Sequence, residues 1–131
     1  MEFPKSKPTE RLIHWELSES IVGAAMKVLN TLRPGLNEKA YENALAIELR
    51  NRGHIVEQQK RFDVLYDGII VDTLIPDLIV NGAVIVDPKV SEAFTDAHLA
   101  QMIGYLAITG MPLALLLNFK HPSLHWRRIV R

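Results

Sequence analysis

Two runs of apolar residues constrain the fold of this 131-residue chain more than any other feature. Residues 83–86 read Ala-Val-Ile-Val, and residues 113–119 are almost entirely apolar. A strand with one face in solvent alternates apolar and polar residues, whereas a continuous apolar run indicates a strand that is covered on both faces. The sequence therefore predicts an α/β fold with a mixed central sheet flanked by helices.

Three helices are predicted from apolar spacing and from start and stop signals. The first covers the apolar pattern from residue 12 to residue 32 and ends at Pro34-Gly35. The second starts after the N-cap residue Asn37 and runs to Arg52. The third is capped by Asp96, runs to about Thr109 and ends at Gly110, with four residues predicted to face inward: Leu99, Met102, Ile103 and Leu106.

Between the second and third helices the sequence predicts a three-strand meander. Its extended segments are residues 54–66, 69–80 and 83–90. The dipeptides Asp67-Gly68 and Asn81-Gly82 separate them, and both are strong signals for a tight hairpin turn. Residues 126–131 are predicted to add an edge strand.

Composition limits the classes of function. Residues 1–10 are predicted to be a flexible arm and residues 11–131 a single domain. The chain has no cysteine, which excludes disulfides, thiolate zinc sites and cysteine nucleophiles. Fifteen basic residues balance fifteen acidic ones, so no overall field steers the molecule onto nucleic acid. Because no apolar run approaches the roughly 20 residues of a membrane span, we expect no membrane insertion and a cytoplasmic location.

The strongest candidate for chemistry is a set of charged residues at the ends of apolar strands. Asp87 and Lys89 project to the same side of one strand, since side chains alternate. Asp77 lies across the Asn81-Gly82 hairpin from them. Charges in such places are costly unless they are paired or bound to metal, and carboxylate oxygens suit Mg²⁺. The alternative is a turn residue beside a surface ion pair.

Two helical features support this candidate. Glu38 lies in the first turn of the second helix, where it would either complement the helix dipole or reach a metal site. Gln101 and Tyr105 form an i, i+4 pair that could contact a phosphate or a base. For Tyr105, a buried ring with a satisfied hydroxyl is the alternative.

Other polar clusters give weaker hypotheses. The histidines at positions 54, 98, 121 and 125 suggest a metal cluster, but surface or loop positions explain them better. The basic tail, with Arg127, Arg128 and Arg131, either contacts phosphates or keeps a strand edge solvated. Ser91 and Ser123 have no neighbouring pattern that supports serine hydrolysis.

Three motifs occur in one order along the chain. Gly35, Glu38 and Tyr41 form a G-x-x-E-x-x-Y signature. Asp77 followed by Asp87-Pro88-Lys89 reads as D…(D/E)-x-K, and Gln101 with Tyr105 as Q-x-x-x-Y. From about residue 21 to residue 130 the chain resembles the GxxExxY proteins, a small group assigned to the PD-(D/E)XK nuclease superfamily.

The resemblance implies a restriction-endonuclease-like core that cleaves phosphodiester bonds of DNA or RNA with Mg²⁺ or Mn²⁺. It implies that Asp77, Asp87 and Glu38 are metal ligands. It also implies that Lys89 orients water or stabilises charge, and that Gln101 and Tyr105 contact a nucleic-acid substrate.

One residue departs from the pattern. Relatives usually have glutamate, an aliphatic residue and lysine, whereas this chain has Asp87-Pro88-Lys89. Proline removes a backbone donor, so it predicts either a bulge that redirects Lys89 or a site without activity. The second possibility leaves a catalytically inert nuclease fold that binds a partner, with a homodimer as one form.

Overall fold

The computed structural model describes residues 14–131, and the arm predicted at residues 1–10 lies outside that range. In chain order the elements are α1 (Trp15–Leu32), α2 (Glu38–Asn51), β1 (Val56–Gln58), β2 (Phe62–Tyr66), β3 (Ile69–Leu74), β4 (Leu78–Val80), β5 (Val84–Lys89), α3 (Asp96–Thr109), β6 (Leu113–Asn118) and β7 (His125–Val130). No helix within residues 14–131 has both the length and the apolar character needed to cross a bilayer.

The predicted mixed sheet flanked by helices is confirmed. Five strands form it in the order β1-β4-β5-β6-β7. β5 and β6 are parallel, and the other neighbours are antiparallel. Successive residues of β5 and β6 face opposite cores: Val84, Val86, Leu113, Leu115 and Leu117 pack with α1 and α2, while Ile85, Ala114 and Leu116 pack with α3. The continuous apolar runs are therefore explained by helices on both faces.

The predicted three-strand meander is wrong. Residues 54–66 and 69–80 each contain a break, at Gln59 and at Pro76. Gln59 has a positive φ of 57°, which ends β1, and Pro76 lacks the N–H that a continuous ladder needs. As a result β1 pairs with β4, and the intervening β2 and β3 form a separate two-stranded sheet.

Both predicted hairpin turns are confirmed. Asn81 and Gly82 have φ values of 53° and 62°, the left-handed pair that a type I′ turn requires. The Ala83 N–H donates to the Val80 carbonyl at 3.0 Å and closes this turn. The Asp67-Gly68 turn joins β2 to β3 in the same way, with φ values of 51° and 75°.

The third helix differs from its prediction in two details. Thr95 is its N-cap rather than Asp96, and its side chain accepts from the His98 N–H while the His98 ring accepts from the Thr95 N–H. Met102 and Leu106 are buried as expected, but Ile103 is 60% exposed. One residue rotates a helix by about 100°, so Ile103 and Met102 cannot both face the sheet squarely.

Pro88 fits β5 without a bulge, so the predicted redirection of Lys89 is wrong. The pairing of β5 with β6 runs without a shift from Val84–Leu113 to Lys89–Asn118. The Lys89 carbonyl accepts from the Phe119 N–H at 2.9 Å, so the backbone polar groups of Pro88 face the opposite side, toward β4. β4 pairs with β5 only as far as Val86, and the missing N–H therefore costs no ladder hydrogen bond.

We predict that Pro88→Val does not raise the free energy of unfolding, because the N–H that valine adds faces a side of β5 that has no ladder acceptor. The matched change Val86→Pro, two residues earlier, removes an N–H on the side where β4 does pair. It should cost about 3 kcal/mol or more. Urea unfolding of the two variants measures both values. An increase of more than about 2 kcal/mol in the free energy of unfolding of Pro88→Val would show that proline strains the strand.

Candidate active site

The structure brings three of the predicted acids together at one end of the sheet. β4 and β5 pair Leu78 with Val86, so their register places Asp77 beside Asp87. Glu38 reaches the same point from the first turn of α2. One carboxylate oxygen from each residue lies within 4.8 Å of the other two. Among residues 14–131 this is the one group of three or more metal-ligating side chains.

The G-x-x-E-x-x-Y segment places Glu38 through its two flanking motif residues. Gly35 has a φ of 119°, which side-chain-bearing residues rarely adopt, and it turns the chain between α1 and α2. The buried Tyr41 hydroxyl donates to the Arg33 carbonyl at 2.6 Å and accepts from the Leu36 N–H at 3.1 Å. Its ring stacks on Phe119 with centroids 4.8 Å apart. The glycine and the tyrosine thus hold the loop, which leaves Glu38 directed at the site.

A polar chain links β5 to α3 on the α3 side of the acids. Lys89 Nζ lies 3.2 Å from Asp87 Oδ2, so the two residues do share a side of the strand. Lys89 Nζ also donates to Gln101 Oε1 at 3.2 Å, and Gln101 Nε2 donates to the Tyr105 hydroxyl at 3.3 Å. The structure therefore brings Lys89, Gln101 and Tyr105 into one hydrogen-bonded row beside the carboxylates.

The sequence of this chain matches a known protein family. The sequence model of the PD-(D/E)XK nuclease superfamily covers residues 15–129. The chain belongs to this superfamily. A search of curated proteins gives no significant match.

Two solved structures have a fold similar to that of this chain. The fold is similar to the crystal structure of an alkaline exonuclease (LHK-Exo) from Laribacter hongkongensis, with a TM-score of 0.54 and 16% identity over 83% of this chain and 68% of that one. A structure of LHK-Exo in complex with dAMP gives a TM-score of 0.50 and 15% identity over 87% of this chain and 82% of that one. At such identities the likeness concerns the fold.

The acid cluster of this superfamily member fits a hard divalent cation. On an octahedral Mg²⁺ with Mg–O distances of about 2.1 Å, adjacent oxygens are about 3.0 Å apart and opposite oxygens about 4.2 Å apart. The separations here are at most 4.8 Å, so small side-chain rotations would bring the three oxygens onto one ion. Among residues 14–131, Lys89 supplies the one ammonium in an ion pair with this cluster, so the three carboxylates, when ionised, have a surplus of negative charge that a cation would neutralise.

Asp87 is the acid most affected by its surroundings. It is only 4% exposed, and burial raises its pKa to about 7 from an ordinary value of 3.8. Lys89 lowers the pKa, and the neighbouring carboxylate of Asp77 raises it further. Burial prevails because desolvation of a carboxylate outweighs its attraction to one partly solvated ammonium.

Two further residues, Glu42 and Gln59, lie next to the site and were not predicted from the sequence. Glu42, one helical turn after Glu38, is buried although charged. Its Oε2 accepts from Gln59 Nε2 at 3.1 Å, and the same nitrogen lies 3.4 Å from Asp77 Oδ1. Glu42 could have been recognised from the sequence as an acid beside Tyr41 on the inward side of α2. The position of Gln59 had no signal, because it depends on the break between β1 and β2.

The histidines do not form a metal site within the described residues. The His121 and His125 rings lie 4.8 Å apart, tilted by 31°; His121 also hydrogen-bonds to the Glu92 carbonyl, and His98 caps α3. His54 Nε2 lies 2.8 Å from Ser20 Oγ, which resembles a nucleophile and its base.

The tautomer of His54 excludes that base role. Asn81 Oδ1 accepts from the Ile55 N–H, so Asn81 Nδ2 donates to His54 Nδ1. The neutral ring then carries its proton on Nε2 and donates it toward Ser20. His54 therefore cannot remove a proton from the Ser20 hydroxyl.

We predict that Tyr41→Phe lowers the free energy of unfolding by about 1–2 kcal/mol, because the loop before Glu38 loses two hydrogen bonds. Urea denaturation measures the loss. Tyr66→Phe is the control, since Tyr66 is 71% exposed and should behave as wild type. Equal stability of both variants would show that the Tyr41 hydroxyl does not hold the loop.

The raised pKa of Asp87 predicts a pH dependence of stability for the metal-free protein. The folded state binds the proton more tightly than the unfolded state, so this contribution is complete below pH 3.8 and is lost as the pH rises through about 7. Between about pH 5 and about pH 8, the free energy of unfolding of wild type should fall by on the order of 2 kcal/mol more than that of Asp87→Asn.

Urea unfolding in EDTA at several pH values measures this difference. Asp63→Asn, which alters an exposed aspartate on β2, serves as the control and should follow the wild-type curve. Parallel curves for wild type and Asp87→Asn would contradict the prediction.

Proposed function

We propose that this protein is a Mg²⁺- or Mn²⁺-dependent nuclease that hydrolyses phosphodiester bonds of DNA or RNA. The observation that supports it is the meeting of Glu38, Asp77 and Asp87 beside Lys89 in a chain of the PD-(D/E)XK nuclease superfamily. We further propose that the chain belongs to the GxxExxY group, since Gly35 and Tyr41 serve to place Glu38.

Glu38, Asp77 and Asp87 are the proposed metal ligands. A divalent cation held there supplies Lewis-acid stabilisation of the negative charge that develops on the phosphate. The ligand set is acidic and contains no sulfur or histidine, which favours a hard ion such as Mg²⁺ or Mn²⁺. Because Asp87 is protonated over part of the neutral range, we expect cation binding to compete with that proton.

Lys89 is the proposed catalytic cation. Its ammonium is held between Asp87 and Gln101, and its side chain is only 14% exposed. In this position it can donate a hydrogen bond to the attacking water or to a phosphate oxygen, and its charge offsets part of the charge of the transition state. Gln101 orients the ammonium, and Tyr105 is proposed to contact the substrate next to it.

A catalytically inert fold that binds a partner is the second candidate. It is favoured by the net charge of zero, since a nucleic-acid-binding protein usually carries a basic surface. Pro88 no longer supports it, because β5 keeps its register through the proline. A homodimer also stays a prediction, which light scattering of the purified protein would test.

Hydrolysis of labelled single- and double-stranded DNA and RNA in Mg²⁺ or Mn²⁺ tests the proposal. We expect wild type to cleave at least one of these substrates, and Lys89→Ala to lower kcat about 100-fold or more. Asp77→Asn should abolish the binding of Mn²⁺ measured by calorimetry, because one of three ligands loses its charge.

Lys27→Ala is the matched control. Lys27 pairs with Glu48 on the α1–α2 side, so its loss should leave cleavage unchanged. Equal cleavage by wild type and Lys89→Ala would refute the assigned role and indicate a contaminating nuclease. No cleavage of any substrate by wild type would favour the inert fold.

A further inference from the structure

We infer that Gln59 is a positioning residue of the metal site: its side-chain amide holds the carboxylate of Asp77 in the place where a divalent cation needs it. The inference deepens the proposed function and rests on it. Gln59 lies outside the three motifs, in the loop between β1 and β2.

Gln59 contacts both the backbone and the side chain of Asp77. Its N–H donates to the Asp77 carbonyl at 3.1 Å, which extends the β1–β4 pairing one residue beyond Gln58–Leu78. Its Nε2 lies 3.4 Å from Asp77 Oδ1. The backbone hydrogen bond therefore holds Gln59 beside Asp77 and brings its side-chain amide within reach of the carboxylate.

The backbone of Gln59 is held in a conformation that such a residue rarely adopts. Its φ of 57° lies in the left-handed region, where the Cβ atom crowds the backbone. Strain of this kind persists where the surrounding contacts determine it, and it is concentrated at functional sites. The positive φ of Gln59 turns the chain out of the central sheet while Gln59 keeps both of its contacts with Asp77.

Glu42 anchors the amide of Gln59. Glu42 is 4% exposed, and its Oε2 accepts from Gln59 Nε2 at 3.1 Å, from Gln58 Nε2 at 2.9 Å and from Lys39 Nζ at 3.0 Å. Glu42 is one turn after Glu38 on α2. The helix therefore positions Glu38 directly, and it positions Asp77 indirectly through Glu42 and Gln59.

The physical reason for such a residue is the repulsion among three carboxylates. When all three carboxylates are ionised and no cation is bound, Asp77 would gain by rotating away from Asp87 and Glu38. A neutral amide donor opposes that rotation and adds no charge. A carboxylate has about four acceptor positions, so one hydrogen bond leaves room for an ion. A carboxylate that is already ordered loses less conformational entropy when the ion binds.

Calorimetric titration of the full-length protein with Mn²⁺ tests the inference. Gln59→Met keeps the length of the side chain and the backbone conformation but removes the donor. It should raise the Kd for Mn²⁺ about three- to tenfold, as expected for one hydrogen bond. Gln58→Met is the matched control, since it removes a donor to the same Glu42 oxygen without touching Asp77. Its Kd should stay within about twofold of wild type.

Gln59→Gly separates the amide from the backbone. Glycine adopts the positive φ without strain, so if the amide matters this variant should bind Mn²⁺ as weakly as Gln59→Met. Urea unfolding should give similar stability for Gln58→Met and Gln59→Met, so that only the Kd distinguishes them.

Each contrary result has a separate meaning. Wild-type affinity in Gln59→Met would overturn the positioning role and leave the proposed nuclease function intact. Equal weakening in Gln58→Met and Gln59→Met would show that the loss acts through Glu42 rather than Asp77, which also overturns it. Wild-type affinity for Mn²⁺ in Gln59→Gly would also overturn the positioning role. No binding of Mn²⁺ by wild type would remove both proposals.

Discussion

The site depends on the register of the short pairing between β4 and β5. Three residue pairs follow the Asn81-Gly82 turn, and the next step along the ladder sets Asp77 beside Asp87. A slip of one residue would send the two carboxylates to opposite faces of the sheet, because the side-chain period of a strand is two. The same slip would exchange the residues that pack on α3 with those that pack on α1 and α2. Burial of both faces thus protects the geometry of the acids.

The second constraint is the way in which α2 enters the site. Its G-x-x-E-x-x-Y motif contains one acid that faces the cluster and two residues that act on the backbone. Gly35 allows the turn and Tyr41 closes it, so a buried ring helps to position the exposed carboxylate of Glu38. The same helix carries Glu42, whose burial is stabilised by three donors rather than by one ion pair.

The clustered carboxylates of the site favour the binding of a cation. Desolvation raises the pKa of Asp87, and repulsion from Asp77 adds to that effect. Lys89 offsets this repulsion only in part, since within the described residues its ammonium is the one paired with the three acids. A site of this kind is held together by its scaffold, because its acids repel one another once they are ionised and no cation is bound. This is why hydrogen-bond donors next to the proposed ligands, such as Gln59, would matter for metal binding.

The sequence by itself determined the local features: three helices, two hairpin turns, the strands covered on both faces, and the shared side of Asp87 and Lys89. Each of these depends on spacing or on turn residues within a few positions, which can be recognised without knowledge of the rest of the chain. Only the tertiary structure decided that residues 54–80 form four strands, that the hairpin of β2 and β3 leaves the central sheet, and that Pro88 lies where β5 has no partner on one side. It alone brought Glu42 and Gln59 to the acids. These features depend on which strands pair and where the pairing stops, and pairing between residues far apart in the chain is selected by burial of the whole sheet rather than by any local pattern.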